Sequence, residues 1–275
     1  MLLPGGFWDG QQRRREFAFA AITGALELTL AETASTNASL PRRVTIVLSG
    51  ALEHVGGVAA TAERVHALAV GDRQFLMRQL AALLDQDTLW LSSTCTSCQR
   101  GFDVQIEQSR LPVKEAGPSF PFARAPASWG DCRLRVPSGE DQDAAAQIGD
   151  DRAATRLLAR RCALDQIPET ICELTEADIA RIEHAVEHAA PEVTTIVQSA
   201  CPECGHANEV YVDPYACLTT SASTLWDDIH DLASAYHWSE RDILALSRAR
   251  RQTYLRRIAR GRGSSGDWTD EESVN

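Results

Sequence analysis

Two short thiol motifs hold the residues best suited to chemistry. Cys95 and Cys98 stand two residues apart in "STCTSCQRGFDVQ", and Cys201 and Cys204 repeat the spacing in "ACPECGHANEVYVDP". Eight cysteines in 275 residues would give roughly 0.2 such pairs by chance, so two carry weight. A C-x-x-C turn offers two thiolates to one face of a metal, and two such turns complete the four-sulfur tetrahedral shell that zinc prefers. Full occupancy by protein sulfur leaves no open position for a reacting molecule, so the ion expected on Cys95, Cys98, Cys201 and Cys204 is a structural zinc. A redox pair would instead need its C-x-x-C at a helix start, where the macrodipole acidifies the nucleophile. Strand-like alternation follows both pairs here. Reduced thiols without metal stay open as the third reading. Cys132, Cys162, Cys172 and Cys217 lack ligand spacing and read as small buried side chains. His206, two residues past Cys204, reads as a surface histidine that could offer the site a hydrogen bond.

Two further clusters compete for a role. "HAVEH", residues 184–188, fits H-x-x-E-H, in which two histidines one turn apart bind zinc and the glutamate activates water. Helical spacing, however, puts Ile179, Ile182, Val186 and Ala189 on one face and His184 and His188 on the opposite, wet one. That makes a metallopeptidase the remote alternative. Eight arginines lie between Arg241 and Arg262 in a chain of formal net charge −11. Arg248, Arg250, Arg251, Arg256 and Arg257 are the candidate partner-binding residues, with a solvated helix face as the plain alternative. P-loop, dinucleotide-binding and nucleophile-elbow patterns do not occur. The expectation is a non-enzymatic protein.

The elements that must position these groups change period along the chain. Residues 1–86 read as mainly helical after a short strand around Phe17 and Phe19. One helix opens at Pro41 and runs past Val55 to Gly56-Gly57, a second covers Thr61 to Ala69, and Asp72 is placed to cap a third. Leu89 and Leu91, then Phe102, Val104 and Ile106, alternate on either side of the first thiol turn, and Val193, Thr195, Val197, Val210 and Val212 do so around the second. Segments 87–112 and 192–214 are thus the two halves of one zinc-ribbon-like module. Between them, 113–191 reads as an insertion: a proline-rich extended connector over 112–130, a strand at CRLRV, and helices opened by Ser138 with Asp141 and by Thr175 with Asp178. Helices return over 215–260, where Ser239 with Asp242 makes a third S-x-x-D start, and 261–275 reads as a disordered acidic tail. The fold class expected is α+β and predominantly α-helical, with a small antiparallel sheet around the thiols.

Apolar residues make up 44% and charged residues 24%, as in a globular chain. No apolar run is long enough to span a bilayer and no signal-peptide block opens the chain, so no membrane partner is expected and the protein reads as cytoplasmic. The acidic total opposes nucleic acid binding. A zinc-ribbon nucleic-acid-binding protein using the Arg-rich helix is nevertheless the main alternative function.

Several pieces, in order, carry a family resemblance: "LPGGFWDG", "ITGALE", "VGDRQFLMRQL", "LRVPSGEDQ", "APEV", "CPECG", "VDP" and "AYHWSERDILALSRARRQTYL". Together they resemble a family of base-plate proteins of contractile bacteriophage tails and contractile injection systems, associated with assembly of the central hub. The resemblance spans nearly the whole chain. It implies a structural or assembly role through contacts with other base-plate, hub or tail-tube proteins. It also implies residence in the cytoplasm during assembly, and leaves open whether the protein stays in the finished particle.

Overall fold

The structure is a computed structural model that describes residues 1–165, 174–219 and 223–264. The chain folds into two compact units. One comprises residues 1–20 and 36–218, the other 21–35 with the chain from 219 onward.

The first unit opens with strand β1 (Leu2–Trp8) paired to β2 (Arg13–Phe19). Helix α1 (Gly24–Ala34) belongs to the second unit. Helix α2 (Leu40–Ala51) then leads straight into β3 (Leu52–Val55), which turns back into β4 (Val58–Ala59). Strands β1 to β4 form one antiparallel sheet, in that order. The N-terminal region thus carries a four-stranded sheet as well as its four helices, and α2 ends four residues before Val55. The sheet was hidden because β1 contains Pro4, Gly5 and Gly6, which break period-two alternation, and because β3 continues the apolar stripe of α2. Gly56 and Gly57 end that stripe as a hairpin turn, with φ of 64° and 78° at its two central positions. Both angles are what a type I′ turn needs and what glycine supplies without steric cost.

Helices α3 (Ala62–Ala67) and α4 (Val70–Leu83) follow. Thr61 caps α3 by accepting from the Arg64 amide. Asp72 does not cap α4, whose preceding residue is Ala69. Its carboxylate lies fully buried and accepts hydrogen bonds of 2.7 Å from the amides of Gly5 and Gly6, tying β1 to α4. Long-range pairing overrode a plausible local cap. A methyl on Gly71 would lie 2.0 Å from the carbonyl oxygen of Pro191. Three stretches far apart in the chain, 4–6, 71–72 and 191, thus close on one another at this junction.

Strands β5 (Thr88–Thr94) and β6 (Gly101–Glu107) make a hairpin, and β7 (Val113–Lys114) comes after it. The proline-rich stretch expected to be a connector contains β8 (Phe122–Ala127), hairpinned with β9 (Gly130–Arg135). Pro126 sits opposite Asp131 in this two-stranded ladder, where every strand is an edge and a missing amide can face outward. Helices α5 (Gly139–Ala145), α6 (Asp151–Cys162) and α7 (Glu176–Ala189) complete the middle. The Ser138 and Asp141 capping box is present, and Thr175 caps α7. Ile179, Ile182 and Ala189 of α7 pack with Ala123, Cys132 and Leu134 of the β8–β9 hairpin in one core.

Strand β10 (Glu192–Val193) pairs with β7, and β11 (Ile196–Ala200) makes the second hairpin with β12 (Ala207–Tyr211). The molecule is thus a mixed α and β protein with several small antiparallel sheets among the described residues.

In the second unit, α8 (Ser223–Tyr236), α9 (Glu240–Ala245) and α10 (Arg248–Ser264) join α1. Ser239 caps α9. Leu225, Ile229, Leu232 and Ile243 form the core, against which Tyr254, Leu255 and Ile258 of α10 pack. Helix α10 extends through Ser264, into the stretch expected to be tail; residues 265–275, and Cys172, lie outside the described residues.

Candidate metal centre

The thiol turns are built alike. In the first, the Cys95 amide donates to the Arg100 carbonyl at 2.9 Å and the Gln99 amide donates to the Cys95 carbonyl at 3.0 Å. In the second, the Cys201 amide donates to the His206 carbonyl at 2.9 Å and the Gly205 amide to the Cys201 carbonyl at 2.8 Å. Each loop reverses through a left-handed residue, Gln99 at φ 60° and Gly205 at φ 74°. Such a turn points both of its sulfurs to one side. The flanking hairpins supply the framework: β5–β6 in register from Thr88↔Glu107 to Thr94↔Gly101, and β11–β12 from Ile196↔Tyr211 to Ala200↔Ala207.

The fold brings the two turns together. The Sγ atoms of Cys95, Cys98, Cys201 and Cys204 all lie within 4.8 Å of one another. Cys95 and Cys204 are 3.7 Å apart, as are Cys98 and Cys201. Sulfurs bound tetrahedrally at about 2.3 Å to one ion would be about 3.8 Å apart along each edge, so the cluster is sized for such an ion. All four positions of the shell are cysteine. These are the only metal-sized group of ligand side chains among the described residues.

Two of these thiols are driven in opposite directions. Hydrogen bonds from the Cys98 amide first, and from the Ser97 amide and the Asn208 side chain, hold Cys95 down at about 6 despite its burial. At Cys204 the His206 amide works in the same direction, but desolvation and the three crowding sulfurs carry the thiol up to about 12. Four sulfurs at this spacing cannot all ionise unaided, and a divalent cation among them removes that conflict. Burial, by contrast, pushes Cys162 up to about 11 and Cys217 up to about 12, and raises Cys132. These three are buried thiols outside the cluster, as their spacing suggested.

Burial grades across the site. Cys95 and Cys201 are buried with Phe102, Cys98 is half-buried, and Cys204 is exposed at the rim. The imidazole of His206 is exposed, while its backbone carbonyl closes the second turn. Sequence reasoning missed Asn208, a buried amide that bonds to both turns; nothing in the spacing "HANEV" marks it.

The other candidates fare differently. His184 and His188 are exposed on α7, on the face opposite Ile179 and Ile182. Of the candidate partner-binding arginines, Arg250, Arg256 and Arg257 are exposed, but Arg251 is not available to a partner. Its guanidinium is fully buried, 2.6 Å from Glu27 and 3.1 Å from Asp228, and Arg248 also pairs with Glu27 at 3.0 Å. Arg251 is drawn inward because it falls on the same helical face as Leu255 and Ile258, which pack against the core of the unit.

No family model, curated protein or solved structure matches the chain. No helix among the described residues is long and apolar enough to cross a membrane.

Proposed function

We propose that this chain is a non-enzymatic structural or assembly protein of a contractile tail or injection-system base plate, built on a zinc-ribbon-like module. The ion on Cys95, Cys98, Cys201 and Cys204 is zinc, which holds the two hairpins as one rigid unit. It supplies cohesion rather than chemistry, since the sulfur shell leaves it no position for a substrate. Partners are hub, wedge or tail-tube proteins, met through the geometry of the scaffold and the exposed arginines Arg250, Arg256 and Arg257.

The observation that carries this reading is the junction of Gly5, Gly6, Gly71, Asp72 and Pro191. The pieces "LPGG", "VGD" and "APEV", on which the base-plate resemblance rests, meet there in close backbone contact. Residues held together by such packing serve a shape, and a protein that works by shape fits an assembly role. Deleting the gene and imaging the particles tests it. Absent or incomplete base plates, together with co-purification of the protein with hub or tail-tube components, are the expected result. Intact, contractile particles without the protein would overturn it, and DNA binding that weakens steeply with salt would favour the nucleic-acid alternative. Elemental analysis checks the metal separately, with one zinc per chain expected.

A further inference from the structure

We propose that Asn208 is a latch that holds the second hairpin on the first thiol turn without metal, and so presets the four-sulfur site. The second half of this statement rests on the metal reading above; the first does not.

Asn208 lies on β12, in the second hairpin, and is 3% exposed. Its carbonyl oxygen accepts from the Thr96 amide at 2.9 Å and from the Thr96 hydroxyl at 3.1 Å, across 112 positions of chain. Its amide nitrogen donates to the His206 carbonyl at 2.8 Å and to Cys95 Sγ at 3.6 Å. An asparagine amide has two donor hydrogens and two acceptor lone pairs, and here all four are engaged, which fixes its orientation. Three of the four bonds reach the first turn, and the fourth ties the side chain to its own.

The position is specific. The two turns superpose in pattern as Cys95 with Cys201, Cys98 with Cys204, and Gln99 with Gly205, which sets Phe102 at the place equivalent to Asn208. Phe102 packs against Cys95 and Cys201 as an apolar wall. One side of the cluster is therefore hydrocarbon and the other a saturated amide. A buried polar group left half-satisfied costs more than an apolar replacement, so this amide can stay buried only with its bonds to both turns made. That makes the bonded arrangement an all-or-none contact. Because it involves Thr96 and the backbone as well as a sulfur, it survives loss of the ion. Fixing Cys95 through a hydrogen bond is also how outer residues orient metal ligands, and their loss commonly lowers affinity about ten- to a hundredfold.

The test uses the full chain, as wild type, Asn208→Ala and Asn208→Asp. Amide hydrogen exchange is first followed at Thr96 in chelator-treated protein. Exchange at least about tenfold faster in Asn208→Ala than in wild type is expected, with exchange in α4 unchanged as evidence of folding. A smaller acceleration overturns the latch. Zinc affinity is then measured by competition with a chromophoric chelator, where Asn208→Ala should bind about ten- to a hundredfold more weakly. Asn208→Asp, nearly the same size, keeps the acceptors for Thr96 but loses both donors; it too should lose about tenfold or more, and it serves alone if the alanine variant does not fold. Unchanged affinity in both variants overturns the role in presetting the site. A wild type that binds no zinc, yet shows the Thr96 difference, would remove the metal reading and leave the latch standing.

Discussion

Removing the metal should loosen the two hairpins and little else, and the size of the effect can be worked from the topology. Counted along the chain, a link from Cys98 to Cys201 closes a loop of 103 residues. A cross-link over such a loop would contribute about 4.7 kcal/mol of lost chain entropy. The folded protein offers a shorter path, because Val113 pairs with Val193 in the β7–β10 ladder. With that ladder intact, the ion closes a loop of only about two dozen residues, for which the same relation gives about 3 kcal/mol. Opening of the ribbon should therefore become easier by about a hundredfold when the ion is withdrawn, while the junction at Gly71 and Pro191 stays closed. The assay is hydrogen exchange with and without a chelator, repeated on Cys204→Ser, whose exposed position spares the core from a packing change. Protection should fall about a hundredfold across 88–107 and 196–211, and by less than about threefold in α4 and α7. Uniform loss of protection would refute the reasoning, because it would mean that the ion holds the whole unit. So would unchanged protection in protein shown to be free of metal.

Packing and charge set three further expectations. Gly71→Ala would set a methyl 2.0 Å from the Pro191 carbonyl oxygen, so it should destabilise by about 3 kcal/mol or prevent folding, whereas Gly101→Ala, with nothing within 4 Å, should change the denaturation midpoint little. Arg251→Ala leaves Asp228 without its ion pair and Glu27 with Arg248 alone, and should cost about 3 kcal/mol in chemical denaturation, against less than about 0.5 for exposed Arg257→Ala. Burial raises Asp72 to about 6, above the usual carboxylate value, so the folded chain binds this proton more tightly than the unfolded one. Stability contributed by this group should accordingly rise as pH falls from about 6 to about 4, by up to about 3 kcal/mol, and be absent at about pH 7 and above. The thermal midpoint of wild type minus that of Asp72→Asn should rise as pH falls across that window, which isolates the effect from the thiols; a signed difference that falls on acidification would contradict it.

The grouping of Cys95, Cys98, Cys201 and Cys204 was legible from their spacing alone. Two C-x-x-C turns between alternating runs mark those thiols as a set, and turn chemistry of this kind is local: it depends on residues within a handful of positions. The same locality made the caps at Ser138, Thr175 and Ser239 legible, along with the inward face of α7. Other features depend on partners distant in the chain. Asp72 satisfies the backbone of Gly5 and Gly6 instead of its own helix, because burial against β1 outweighs a single capping bond. Arg251 left the surface set because Glu27, from the other end of the chain, lies beside it. The strands of the N-terminal sheet were masked by glycine, proline and a shared apolar stripe, and the two hairpins become one sheet only through the distant pairing of β2 with β3, Phe17 against Val55. Asn208 is the clearest case: an ordinary asparagine in sequence, it acquires a role only when 112 positions of chain fold back to bring Thr96 against it. Local hydrogen bonding can be read from neighbouring letters, but the satisfaction of a buried polar group depends on whatever the rest of the chain places next to it.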